Sequence, residues 1–185
     1  SRTGRGGIIP LLLLWLVWLL LLTAAARPLW IGEAIELPNS GRDLMMAVDI
    51  SGSMQIEDMQ VGQSFVPRME AVRQLGANFI SQRAGDRLGL ILFGTNAYVQ
   101  SPLTFDTATV KRFLVEAQIG FAGKETAIGD AIGLAVKRLK DQPAESRVLI
   151  LLTDGQDTAS SVKPLDAAKL AASLGIRIYT IGIGA

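Results

Sequence analysis

The chain has 185 residues, and its 18 lysines and arginines nearly balance its 17 aspartates and glutamates. This balance leaves no cationic excess of the kind that binds nucleic acid through its phosphates. Cysteine and histidine are both absent, which excludes disulfides, zinc sites built from their side chains, thiol nucleophiles and imidazole bases. Any metal site must therefore use oxygen ligands, which favour Mg²⁺, Mn²⁺ or Ca²⁺.

The first predicted element is an apolar helix at residues 8–26, after a short flank at 1–7. It contains nineteen uncharged residues, nine of them leucine, and a helix of that length spans roughly 28 Å, about the thickness of a bilayer core. We therefore predict a transmembrane helix. A cleaved signal peptide is the alternative, because arginines precede the segment and three alanines end it, but the segment exceeds the usual apolar length of about 7–15 residues.

The charges that flank this helix predict its orientation. Arg2 and Arg5 precede it, whereas Arg27 alone follows it closely. The positive-inside rule then places the N-terminal side in the cytoplasm and the rest of the chain on the periplasmic or extracytoplasmic side. Residues 27–42 are rich in turn-forming residues and form the predicted linker, so the folded domain is expected at 43–185.

Short apolar segments alternate with helical patterns through the domain. The predicted strands are 44–48, 88–93, 148–152 and 177–181, with a short edge strand at 97–100, and the predicted helices are 68–83, 107–118, 127–140 and 165–174. This alternation indicates an α/β fold with a doubly wound, mainly parallel sheet and an antiparallel hairpin at one edge. The four longer strands are composed of residues that suit burial on both faces.

Polar residues follow the strands at the edge where ligands bind in open parallel sheets. Asp49, Ser51 and Ser53 alternate after the first strand, and an extended segment would direct their three oxygens to one side. Asp154 follows the strand at 148–152. Thr126 comes just before a helix, where its hydroxyl can face the same crevice. These five residues are the predicted metal ligands.

Each of these residues also has an ordinary structural explanation. Thr126 alone is typical of a helix N-cap, and the two aspartates are typical of turns. Two carboxylates about 4 Å apart would, however, repel each other by roughly 4 kcal/mol at an effective dielectric near 20. Neither motif segment contains a lysine or arginine, so a divalent ion is the expected counter-charge. Glu57 and Asp58 could touch the water shell of the metal, but they are expected to be solvated loop acids, and Asp130 is expected to complement a helix dipole.

Three separated segments resemble the metal-ion-dependent adhesion site of von Willebrand factor type A domains. They are Asp-Ile-Ser-Gly-Ser at 49–53, Thr126, and Thr-Asp-Gly at 153–155. Further segments are similar to bacterial aerotolerance-type (Bat) membrane proteins: Arg-Pro-Leu-Trp at 27–30, Gly-Asp-Arg at 85–87 and Ser-Pro-Leu-Thr at 101–104.

The resemblance implies a von Willebrand A, Rossmann-like fold in which Ser51, Ser53 and Thr126 supply hydroxyl ligands to Mg²⁺ or Mn²⁺. Asp49 and Asp154 would bind the ion directly or through water. It further implies a location in the bacterial inner membrane and an association with MoxR-like AAA+ ATPases. A last helix is expected after the strand at 177–181, so one face of the sheet is expected to lack its cover within residues 43–185.

The predicted function is binding without catalysis. The five predicted ligands leave at least one of the six positions of Mg²⁺ open, and an acidic group of a protein partner can occupy it. The partner is therefore expected to bind around the metal site. Two alternatives stay open: a Mg²⁺-dependent phosphatase that uses Asp49 as its nucleophile, and a membrane-attached scaffold whose metal site is not functional.

Overall fold

The computed structural model describes residues 8–26, 41–61 and 64–184. The chain divides into two units, Ser1–Asn39 and Ser40–Ala185. In the first unit, helix α1 (Ile8–Ala26) has no buried residue, and it is long and apolar enough to cross a membrane. Its bounds coincide with the predicted apolar helix. Most of the predicted linker and the flank at 1–7 lie outside the described residues.

The second unit is built on a mixed five-stranded sheet. Its strands are β1 (Asp43–Asp49), β4 (Arg87–Phe93), β5 (Ala97–Thr104), β6 (Arg147–Thr153) and β7 (Arg177–Gly182), while β2 (Met59–Val61) and β3 (Ser64–Val66) form a separate hairpin. The order in the sheet is β5-β4-β1-β6-β7. All neighbours are parallel except β4 and β5. The predicted mainly parallel sheet with an antiparallel edge is thus confirmed.

Helices cover both faces of this sheet: α2 (Arg68–Ser81), α3 (Thr107–Glu116), α4 (Ile128–Leu139) and α5 (Pro164–Ser173). Successive residues of β1 point to opposite faces, as the period of two of a strand requires. Met46 and Val48 therefore join a core with α2 and α3, whereas Met45 and Ala47 join a core with α4 and α5. This arrangement buries β1 completely and holds its carboxyl end at the middle of the sheet.

Two features of the strands differ from the prediction. The hairpin of β2 and β3 was not predicted, because strands of three residues are too short to show an alternating pattern. β5 continues to Thr104 although Pro102 interrupts its pattern. The edge position explains this, because the proline needs no backbone donor on the side that faces away from β4.

β7 is composed of residues that suit burial on both faces, but it is largely exposed, in line with the uncovered face that is expected for the sheet. Tyr179 is 55% exposed and Ile181 is 44% exposed. On the side of the sheet that carries α2, β6 is buried, but no helix within the described residues covers β7. An apolar groove of about 580 Å³ remains there, lined by residues that include Leu75, Phe79 and Ile150.

Candidate metal centre

Asp49 ends β1 at the centre of the sheet and is completely buried. One of its carboxylate oxygens accepts the Ser51 backbone N–H at 2.8 Å, and the other accepts the Thr153 hydroxyl at 2.8 Å. Burial is the main cause that raises the pKa of Asp49; the negative charge of Asp154 adds to it, while the hydrogen bonds from Ser51 and Thr153 oppose it. None of the ion pairs among the described residues involves Asp49. A cation at this point would therefore stabilise a charge that burial disfavours.

The hydroxyls of Ser51 and Ser53 lie together beside this carboxylate, with their Oγ atoms 3.0 Å apart. The sequence predicted this convergence from an extended segment, and that reason is only partly correct. Ser51 is extended, but a 3₁₀ helix begins immediately afterwards at Gly52. The turn rather than alternation along a strand brings the two hydroxyls together.

Thr126 does not cap α4, so its interpretation as a plain N-cap is wrong. The N-cap is Ala127, and the first helical N–H, that of Ile128, donates to the Asp157 carboxylate at 2.9 Å. The backbone of Thr126 is held by Thr158 instead. The Thr126 N–H donates to the Thr158 hydroxyl at 3.0 Å, and the Thr126 carbonyl accepts the Thr158 N–H at 2.8 Å.

The loop that carries Thr126 lies directly against the Asp49–Ser53 segment. The Gly52 N–H donates to the Lys124 carbonyl at 3.0 Å, and the Gly120 N–H donates to the Ile50 carbonyl at 2.7 Å. Thr126 is 6% exposed. Contacts of the main chain thus bring the third predicted hydroxyl to the same edge of the sheet as Asp49.

Asp154 follows β6 and forms an ion pair that the sequence did not predict. Oδ2 of Asp154 accepts a hydrogen bond from Nη1 of Arg68, the first residue of α2, at 2.7 Å. The Asp154 side chain is 3% exposed. Nε of Arg68 also donates to both carboxylate oxygens of Asp58, at 2.9 and 3.0 Å. The hydrogen bonds to Asp58, with a smaller contribution from Asp154, hold the pKa of Arg68 above its ordinary value against the effect of burial.

The ion pairs of Arg68 show that two expectations from the sequence are wrong. The sequence offered no cation near either carboxylate motif, but Arg68 reaches Asp154 from 86 residues away. Asp58 is not a simple solvated acid, because it is 23% exposed and paired with Arg68. Glu57 is exposed, as expected. Asp130 does more than complement the dipole of α4, since it accepts the backbone N–H groups of Ser161 and Val162.

The set of donors at this edge fits a hard divalent ion. Within the described residues, no group of three or more acidic, histidine or cysteine side chains could hold a metal. An ion here would therefore need the serine and threonine hydroxyls as well as Asp49 and Asp154. Such all-oxygen sets suit Mg²⁺ and Mn²⁺. Thr153 is a further participant, because its hydroxyl links β6 to Asp49; its place in the Thr-Asp-Gly segment was the available signal.

The chain matches a known protein family and is similar to a bacterial relative. The model of the von Willebrand factor type A domain matches residues 43–185. An uncharacterized protein of Borreliella burgdorferi is 31% identical over 171 residues, which cover 92% of this chain and 49% of that protein. The chain therefore spans about half the length of this curated relative.

Three solved structures of bacterial proteins are similar. An aerotolerance-related membrane protein from Bacteroides fragilis is 31% identical with a TM-score of 0.69, covering 78% of this chain and 68% of its own. BatB from Bacteroides thetaiotaomicron is 31% identical with a TM-score of 0.67, and the match covers 77% of this chain and 66% of BatB. A membrane-spanning protein from Vibrio fischeri is 49% identical with a TM-score of 0.53, and the match covers 77% of this chain and 70% of that protein.

Proposed function

Because the chain belongs to the von Willebrand factor type A domain family, we propose that it is a membrane-anchored module that captures an acidic group of a protein partner at a divalent ion. Asp49, Ser51, Ser53, Thr126 and Asp154 hold the ion in this proposal, and Mg²⁺ or Mn²⁺ is the ion. The serine and threonine hydroxyls bind it, and the two aspartates bind it directly or through water.

The observation that carries this proposal is the buried Asp49 carboxylate beside two converging hydroxyls. Burial raises its pKa, and it has no ion-pair partner within the described part of the chain. A divalent ion supplies the missing positive charge and attracts a partner carboxylate. The five residues cannot fill all six positions of Mg²⁺, so at least one position is left for that carboxylate.

Binding rather than catalysis is the proposed role. The chain has no histidine or cysteine, so two common nucleophiles and proton carriers are missing. Asp49 is completely buried. A phosphatase nucleophile needs a carboxylate oxygen that a phosphoester can reach, so this burial disfavours the phosphatase alternative.

The proposed location is the bacterial inner membrane, with the domain on the periplasmic or extracytoplasmic side. Helix α1 and the similar membrane proteins support anchoring in a membrane, and the arginines before the helix support the orientation. A MoxR-like AAA+ ATPase system is the partner system that resemblance to Bat proteins favours.

Calorimetric titration of the chain in detergent with Mn²⁺ tests the metal site. We expect one ion to bind to the parent, and Asp154→Ala or Ser53→Ala to weaken binding at least tenfold, since each removes an oxygen donor. Ser173→Ala, an exposed serine on α5, is the matched control and should bind like the parent. Equal affinity of Asp154→Ala and the parent would show that the ligand assignment is wrong.

Recovery of partners from membranes tests the binding role. Proteins captured by the parent in Mg²⁺ should be lost after treatment with a chelator and in Ser53→Ala, but kept in Ser173→Ala. Identical recovery in all conditions would favour a scaffold with a non-functional metal site. Release of phosphate from generic phosphoesters that Asp49→Asn abolishes would instead favour the phosphatase.

A further inference from the structure

Arg68 is the one cation that forms an ion pair with a proposed metal ligand in the described part of the chain. It lies at the first residue of α2, and its guanidinium bridges two carboxylates that come from different parts of the fold. Asp58 precedes the hairpin of β2 and β3, and Asp154 follows β6. The Arg68 side chain is only 14% exposed. This bridge is therefore a largely enclosed contact, unlike a typical surface ion pair.

The charges at this edge are arranged around one cation. Asp58 and Asp154 share the single positive charge of Arg68, so the three groups together carry one net negative charge. Asp49, when ionised, adds a second negative charge. It lies close enough to Asp154 for the negative charge of Asp154 to raise the pKa of Asp49. The edge thus carries the charge that a divalent ion would neutralise, but two of its carboxylates, Asp58 and the proposed ligand Asp154, are already paired with Arg68.

We propose that Arg68 is an internal counter-cation that competes with the divalent ion for Asp154, lowering the metal affinity of the centre and stabilising its metal-free form. This inference rests on the proposed metal site. The physical reason is that Arg68 offsets the negative charge of a nearly buried carboxylate when no metal is bound. Its positive charge and its hold on Oδ2 of Asp154 oppose the arrival of a second cation.

Two substitutions should change the affinity in opposite directions. Arg68→Met removes the competing charge and should tighten Mn²⁺ binding by about tenfold, the size of one strong charge interaction. Asp58→Asn removes a negative charge from the edge, and of the two carboxylates that pair with Arg68 only Asp154 remains charged. Arg68 then holds Asp154 more strongly, so this variant should bind Mn²⁺ more weakly by roughly threefold to tenfold. Damage to the fold alone would weaken both variants.

The control is Arg73→Met, which removes another arginine of α2 that pairs with a carboxylate, Glu70, away from the centre. It should bind Mn²⁺ like the parent. Calorimetry of the whole chain in detergent measures the dissociation constants. Thermal unfolding adds a second measurement: without metal Arg68→Met should melt below the parent, and saturating Mn²⁺ should raise its melting temperature by more than it raises that of the parent.

The results separate this inference from the proposed function. If the parent does not bind Mn²⁺, both fail. If the parent binds but Arg68→Met binds equally or more weakly, Arg68 does not compete with the ion and only this inference is overturned. If Arg68→Met folds only with Mn²⁺, the competition is supported. If it folds in neither state, Asp58→Asn decides: weaker binding with a melting temperature like that of the parent supports the inference, and any other result overturns it.

Discussion

Replacing Gly129 with alanine should destabilise the domain although alanine is the better helix former. Gly129 lies in the first turn of α4, and a Cβ atom there would be 1.8 Å from the Val162 carbonyl oxygen. Cβ atoms essentially never approach other heavy atoms within 3.0 Å, so the backbone at Val162 would have to move by at least about 1.2 Å. Val162 belongs to the loop whose Thr158 holds the backbone of Thr126.

The expected magnitude follows from opposing contributions. Overpacking costs about 1–3 kcal/mol, and each weakened hydrogen bond from the loop to Asp130 costs about 1 kcal/mol. The gain in helix propensity from glycine to alanine offsets about 0.5–1 kcal/mol. We expect a net loss of about 2–3 kcal/mol, which for a domain of this size lowers the melting temperature by roughly 6–12 °C.

The control is Gly133→Ala, one turn further along the same helix, where a Cβ atom meets nothing within 4 Å. There the propensity gain acts alone and should stabilise the domain by about 0.5–1 kcal/mol. Thermal unfolding followed by circular dichroism measures both variants, and calorimetry should show weaker Mn²⁺ binding for Gly129→Ala alone. If the two variants melt at the same temperature, the contact between α4 and the loop does not constrain the fold.

Three further predictions concern the core, a helix cap and the orientation of the chain. Phe93→Ala removes a fully buried side chain and should lower the free energy of unfolding in urea by about 3–5 kcal/mol; a loss below about 1 kcal/mol would contradict its place in the core. The pKa of Asp106 is lowered, chiefly by its hydrogen bonds with Thr109, so its cap on α3 should stabilise the domain above pH 3.8 and be lost as the pH falls through the folded pKa. Asp106→Asn should remove that part of the pH dependence in urea unfolding between about pH 2 and 6. The chain lacks cysteine, so Ser173→Cys should react with a membrane-impermeant maleimide in intact cells; reaction only after lysis would reverse the proposed orientation.

Sequence reasoning succeeded where a local pattern carries the information. The predicted bounds of α1 match the structure, and each of the four parallel strands agrees to within one residue at either end, because continuous apolar segments and the turn residues beside them are local signals. The mainly parallel sheet followed from the alternation of strands and helices. Within the candidate centre, Asp49 and Ser51 could be placed at a strand end, which explains why their proximity was predictable.

The sequence was less informative where contacts join distant segments. The composition of β7 indicates a strand that suits burial, whereas its actual exposure depends on which helices cover that face. The interpretation of Thr126 as an N-cap failed because the donor of α4 is satisfied by Asp157, 29 residues away. A helix start can be capped from anywhere in the fold, so adjacent sequence does not identify the cap.

The amino-acid sequence by itself determined the apolar helix, the α/β fold and the restriction of the candidate centre to oxygen ligands, because each follows from residue types and their spacing along the chain. Only the tertiary structure decided that Arg68 pairs with Asp154 and Asp58, and that Thr153 donates to Asp49. Ion pairs and hydrogen bonds depend on distances of about 3 Å between side chains. Separation along the chain carries no information about such distances until the sheet and its helices have packed.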